Sequence, residues 1–206
     1  HGAWAYLGRQ IKARVKAPVA QGMRMNIEKA EELVDRGDFD AIVMGRPFLA
    51  DPDVVNKAIA GKASDIRPCV GCNAKCLDMA MISKPIGCIG NYECNREEEL
   101  EDENGLMPTE KKSEHPEKIL VIGAGPSGME FARVAALRGH KVTIWEKRNR
   151  TIGLSLFAAT PPRRYDIRFF GQWLERTCRE LGVEIILNKE ATAEDIIAAS
   201  KDFDRV

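Results

Sequence analysis

The stretch Lys118 to Lys147, KILVIGAGPSGMEFARVAALRGHKVTIWEK, constrains the fold more than any other part of the chain. Ile119-Leu120-Val121-Ile122 is an apolar run of strand length, and Gly123-Ala124-Gly125-Pro126-Ser127-Gly128 follows it directly. The pattern predicts a helix from about Pro126 to Arg138, stopped at Gly139. A second strand, Val142-Thr143-Ile144-Trp145, then ends on Glu146. A lone GxGxxG says little. This one has a strand before it, a helix after it and an acidic residue roughly 20 residues on, the context that gives the motif meaning. Gly123 permits the tight turn, Gly125 lets the backbone approach a pyrophosphate, and Gly128 lets helix and strand pack closely. The helix N-terminus offers free N–H groups and the positive end of its dipole to phosphates. Glu146 can accept hydrogen bonds from a ribose diol and disfavours a 2′-phosphate. The bland alternative is a glycine turn that serves packing alone. Downstream, Ile167, Phe170, Leu174, Cys178 and Leu181 form the inner face of a helix, with Phe169 and Trp173 bordering it as core residues. The strand Val183–Leu187 follows, then a short helix boxed by Thr192 and Asp195.

Cys69, Cys72, Cys76 and Cys88 are spaced C-x2-C-x3-C-x11-C. Three thiols this close turn toward one centre only if the backbone curls. Pro68, Gly71, Asn73, Pro85 and Gly87 are turn formers, so the segment reads as a loop rather than a helix or strand. Thiolates are the ligands that iron–sulfur clusters and structural zinc select. Zinc more often shows two CxxC knuckles, whereas clusters gather three close cysteines and a remote one, so the spacing leans toward a cluster and leaves zinc open. Disulfides compete less well, because the cysteines bunch and no secreted-scaffold signature accompanies them. Cys94 is a spare thiol beside the set, and Cys178 reads as a small core residue.

Ahead of the cysteines, residues 1 to 67 alternate helix and strand. An opening helix presents Trp4, Leu7, Ile11 and Val15, and a short buried strand lies around Pro18-Val19-Ala20. Asn26 caps a helix with Ile27, Ala30, Leu33 and Val34 inward, ended by Gly37. Ala41-Ile42-Val43-Met44 reads as a strand covered on both faces, stopping at Gly45-Arg46. Asp51 caps a last helix, with Pro52 in its first turn and Gly61 at its end. Such units imply a parallel sheet or a (β/α) barrel, and a closed barrel needs eight units and about 250 residues. The chain opens on His1 and stops at Val206, so it reads as a fragment with most of that domain upstream. Alone it should be inactive and poorly stable, with strand edges and apolar faces exposed. Residues 95 to 117 form an acidic, Gly- and Pro-broken linker. Lys plus Arg equal Asp plus Glu at 31 each, which excludes a global field for nucleic acid or membrane, and no apolar run has the length of a membrane span.

Three stretches carry a family resemblance: MGRPFLADPD (Met44 to Asp53), IRPCVGCNAKCLD (Ile66 to Asp78) and the glycine-turn unit. In this order they resemble the flavin- and iron–sulfur-containing branch of the old yellow enzyme family, which includes 2,4-dienoyl-CoA reductase, 2-enoate reductase and trimethylamine dehydrogenase. The resemblance implies an α/β chain made of the C-terminal end of a (β/α)8 TIM barrel (1–67), a cluster-binding segment (68–94), the linker, and the N-terminal part of a Rossmann-like FAD/NAD(P)-binding domain (118–206). It implies that Cys69, Cys72, Cys76 and Cys88 hold a [4Fe–4S] cluster, and that Gly45 and Arg46, with Arg24, grip the phosphate of FMN. FAD, or ADP in its place, falls to Gly123, Ala124, Gly125, Gly128 and Glu146. NAD(P)H would reduce FAD, electrons would pass singly through the cluster to FMN, and reduced FMN would add hydride to an activated C=C bond of a small unsaturated substrate. Two departures stand out. Gly22-Met23-Arg24 displaces the family's glycine by one, and Gly153-Leu154 stands where a double glycine is usual, which could crowd a cofactor. No catalytic acid is named: the expected positions lie upstream, and His1, His115 and His140 do not fit the role. An amine dehydrogenase of the trimethylamine type and a catalytically inert zinc-knuckled nucleotide module are the competing readings. Assembly into a homo-oligomer is compatible with all of them.

Overall fold

A computed structural model describes residues 2–22, 24–162 and 164–206; His1 and Met23, both touched on above, lie outside them. The chain divides into two compact units after Cys94. No helix among the described residues is long and apolar enough to cross a membrane.

The first unit runs α1 (Ala5–Lys12), β1 (Ala20–Gln21), α2 (Ile27–Asp35), β2 (Ala41–Ile42), α3 (Arg46–Ala50), α4 (Val54–Ile59), a 3₁₀ turn (Ala63–Asp65) and α5 (Leu77–Met81). β1 and β2 pair in parallel, Ala20 opposite Ala41 and Gln21 opposite Ile42. Met25, Leu33 and Phe39 form the buried cluster beneath them, joined by Ala5, Val19, Ile42 and Met44. Asn26 caps α2 as expected, its side chain accepting from the Lys29 N–H, and Gly37 closes it at φ +70°.

Several expectations here are corrected. α1 does not bury its apolar stripe: Trp4, Leu7 and Ile11 are exposed, as is Val15 beyond the helix end. Its buried residue is Gly8, where a Cβ would run into Phe39 and Gln21. Close approach to that ring selects the side without a side chain. The strands are shorter and less covered than expected, with Ala20, Ala41 and Val43 exposed. Among the described residues each has a single partner, so the alternation of the pleat leaves one row outside the cluster. Val34 likewise faces outward. The cap of α4 is Asp53 rather than Asp51, whose carboxylate instead accepts from the Asp53 and Arg67 N–H groups and from Lys57. The cysteine segment is not all loop, because Cys76 opens α5.

The second unit runs α6 (Glu97–Leu100), β3 (Lys118–Ile122), α7 (Pro126–Leu137), β4 (Lys141–Glu146), α8 (Ser155–Ala158), α9 (Asp166–Glu180), β5 (Glu184–Leu187) and α10 (Ala193–Ala199). Its sheet is parallel in the order β3-β4-β5, with Ile119 opposite Val142 and Ile144 opposite Ile185. The chain end adds the start of a further parallel pairing beside β3, where Leu120 N–H donates to the Arg205 carbonyl at 2.9 Å. Met129 and Ala132 of α7 and Leu174 and Cys178 of α9 close over Val121 and Ile144. Burial pushes the Cys178 thiol up to about 12, and its S–H donates to the Met129 carbonyl at 3.2 Å, so it is an inert core group. Trp173 is core as expected, but Phe169 is exposed, and Leu181 forms the C-cap of α9.

Thr192 and Asp195 make a reciprocal capping box at the start of α10. Thr192→Ala removes the acceptor for the Asp195 N–H and should destabilise this unit by about 1 kcal/mol. A lower urea midpoint at unchanged slope is the expected reading.

Candidate functional site

The cysteine loop is shaped by a few backbone contacts. Gly71 and Asn73 both adopt left-handed conformations, each at φ +64°, which reverse the chain on either side of Cys72. Glycine and asparagine are the residues that tolerate this region. The Asp78 N–H donates to the Asn73 carbonyl at 3.1 Å, starting α5. The remote cysteine returns because the Gly87 N–H donates to the Lys75 carbonyl at 2.9 Å, setting the residue before Cys88 against the residue before Cys76. Asn91 secures the far side, its side-chain amide donating to the Leu49 carbonyl and its N–H to the Cys88 carbonyl. Arg67 donates to the Gly90 carbonyl at 3.0 Å.

All six cysteines are thiols rather than disulfides. Burial pushes the Cys88 thiol up, and the neighbouring Cys69 and Cys72 act in the same direction, against N–H groups of Gly90 and Asn91 that donate to its sulfur. Cys88 is therefore within electrostatic reach of two of its three expected partners. Among the described residues no three His, Cys, Asp or Glu side chains are gathered closely enough to hold a metal ion. The donor set, four thiols on one curled loop, fits a thiolate-bound cluster in kind. Cys94 is buried, its backbone carbonyl 3.6 Å from where a Cβ on Gly87 would sit.

Arg24 and Arg46 both lie against this loop. The Arg24 guanidinium covers Gly71 so closely that any side chain there would run into it. Arg46, at the start of α3 with Gly45 as its cap, donates through Nη1 to the Asn73 Oδ1 at 2.6 Å. Asn73 was not singled out as functional from sequence. Its place directly after C-x-x-C, at a left-handed position, is the signal that could have found it.

In the second unit, Gly123 sits at φ +99° and its N–H donates to the Trp145 carbonyl at 2.7 Å. Gly125 caps α7 with no side-chain partner, so the first N–H groups of that helix are left for a ligand. A Cβ at Gly123 or Gly125 would meet nothing within 4 Å, whereas one at Gly128 would run into the Gly123 carbonyl oxygen. The open cradle over Gly123 and Gly125 fits a pyrophosphate. Glu146 is buried and already accepts from the Ala124 N–H at 2.8 Å and the Arg148 N–H at 2.9 Å, which pins the turn to the end of β4. The Ile152 N–H donates to the Ala124 carbonyl at 2.7 Å, and Gly153 packs on Gly125. Leu154, suspected of crowding, is 68% exposed. The unusual residue is Ile152, buried at φ +71° with its side chain in a notch that Gly171 leaves open. His140 is structural, its Nδ1 accepting from the Glu117 N–H at 3.1 Å.

This parallel sheet, glycine turn and acidic strand end make a Rossmann-like unit, and a model of the pyridine nucleotide-disulphide oxidoreductase family matches residues 80–202. The chain belongs to that family. The metal reductase of Desulforamulus reducens is 47% identical over 208 residues, covering 100% of this chain and 30% of that protein. The solved 2-naphthoyl-CoA reductase superposes with a TM-score of 0.84 at 36% identity, covering 96% of this chain and 29% of that one. Histamine dehydrogenase from Rhizobium sp. 4-9 gives a TM-score of 0.84 at 28% identity, over 95% and 28%. These relatives bear out the resemblance drawn from the three sequence stretches. The chain spans about 30% of the length of the curated relatives it matches.

Proposed function

We propose that the chain is part of an NAD(P)H-dependent oxidoreductase that uses two flavins and a [4Fe–4S] cluster to reduce an activated C=C bond of an enoate or enoyl-CoA type substrate. The observation that carries this reading is the Gly87–Lys75 hydrogen bond, which returns Cys88 to the three close cysteines just ahead of a dinucleotide-binding sheet. In this reading the first unit is the C-terminal end of a (β/α)8 barrel. Flavins supply hydride acceptance and release, and a cluster supplies one-electron transfer between them.

The residues divide the work. Cys69, Cys72, Cys76 and Cys88 supply thiolates, and the Gly90 and Asn91 N–H groups donate to the Cys88 sulfur, a contact of the kind that tunes cluster potential. Arg24, Gly45 and Arg46 bind the FMN phosphate. Gly123, Ala124 and Gly125 with the start of α7 bind the pyrophosphate of FAD, and Glu146 orients both turn and ribose. NAD(P)H and the unsaturated substrate are the partners.

Anaerobic reconstitution of the holoenzyme followed by iron and sulfide analysis tests this. Four irons and four sulfides per chain are expected for a [4Fe–4S] centre. Stoichiometric zinc without sulfide would sink the electron-transfer role. Amine oxidation is the second reading, supported by the equal TM-score of histamine dehydrogenase. Bound ADP without FAD would favour it.

A further inference from the structure

We infer that Asn73 is a positioning residue for Arg46, and that the cysteine loop thereby sets how tightly the adjoining site holds a phosphate monoester. The inference rests on the reading of Arg46 as a flavin-phosphate ligand and deepens it.

Arg46 is half-buried at the start of α3. Its hydrogen-bond partner is a neutral carboxamide, the Asn73 Oδ1 at 2.6 Å. A guanidinium has five donors, so this bond aims the group and leaves most donors and the whole charge for an anion. An aspartate here would have aimed it equally well and cancelled the charge. Asn73 is itself fixed: its backbone stands at φ +64°, and its carbonyl accepts from the Asp78 N–H at the head of α5. Its neighbour is Cys72, and Gly71 on the other side lies beneath Arg24. One turn of chain therefore carries an expected cluster ligand and the surfaces against which both arginines rest. Whatever shapes the loop at Cys72 also aims Arg46, and the coupling between two bound groups is reciprocal.

Asn73→Gly tests this with little risk to folding, since glycine adopts the left-handed conformation freely and only the carboxamide is lost. The holoenzyme is stripped of FMN, brought to equal iron occupancy, and titrated with FMN and with riboflavin. The ratio of the two affinities reports the phosphate interaction alone. In Asn73→Gly the ratio should fall about five- to tenfold, on the scale of one ordinary hydrogen bond. Riboflavin affinity should stay unchanged. Arg46→Gln serves as the reference and should lower the ratio at least as much. If Arg46→Gln lowers it and Asn73→Gly does not, the positioning role is overturned while the phosphate reading stands. If neither variant changes it, both are overturned.

Discussion

Cys88→Ser in the holoenzyme should lower bound iron and sulfide more than about a hundredfold at limiting metal, while Cys94→Ser leaves both unchanged. Changes outside the ligand shell already cost about 10–100-fold in metal affinity, and in the proposed reading a ligand itself is replaced. A serine hydroxyl remains protonated where a thiol would ionise onto iron, so one of four anionic ligands is lost. Cys88 is the informative choice because its arrival depends on long-range folding. It reaches the loop through the Gly87–Lys75 hydrogen bond, and it feels Cys69 and Cys72 across space. Cys94 lies a short way further along the chain but is buried beside Gly87. Iron retained in Cys88→Ser and lost in Cys94→Ser would transfer the fourth-ligand role to Cys94.

The second large effect separates two glycines of one motif. Gly128→Ala should destabilise the second unit by about 2–3 kcal/mol, because the added methyl has only the Gly123 carbonyl and Val121 to push against. Gly125→Ala should leave stability within about 0.5 kcal/mol of the parent, since its φ of −75° suits any residue and its Cβ would point into open space. That space is where a pyrophosphate would approach. Gly125→Ala should therefore weaken FAD or ADP binding by tenfold or more with an unchanged melting temperature. Equal losses of stability in both variants would contradict this division between packing and binding.

How much was legible before the fold was known differs between the halves of the chain. Around the glycine turn, nearly every element could be read. The apolar run of β3, the cap at Gly125, the stop near Gly139 and the acid at Glu146 are local signals, and the second unit has the core to confirm them. Even there Phe169 went the wrong way, because helical periodicity places it at the border of a face and only the packing of α7 on α9 decides which border is covered. In the first unit, periodicity misled more often. Trp4, Leu7 and Ile11 form a good apolar stripe, yet α1 docks through Gly8. A pattern counts apolar side chains, and a docking surface built on the absence of one carries no such signal.

For the candidate site, residue types were readable and alliances were not. The four thiols, the paired glycines and the two arginines all stand out from spacing and resemblance. That Arg46 donates to Asn73 across 27 positions, that Arg24 rests on Gly71, and that Ile152 beside the glycine turn is itself left-handed, with its side chain against Gly171, are products of chain reversal. By itself the sequence determined the parallel α/β unit and its glycine turn, because each depends on neighbours within a few residues. Only the tertiary structure decided how Gly87 meets Lys75 and which side chain pairs with the Arg46 guanidinium. Those contacts depend on distances between segments far apart in the chain, and these are set by packing, which leaves no periodic trace.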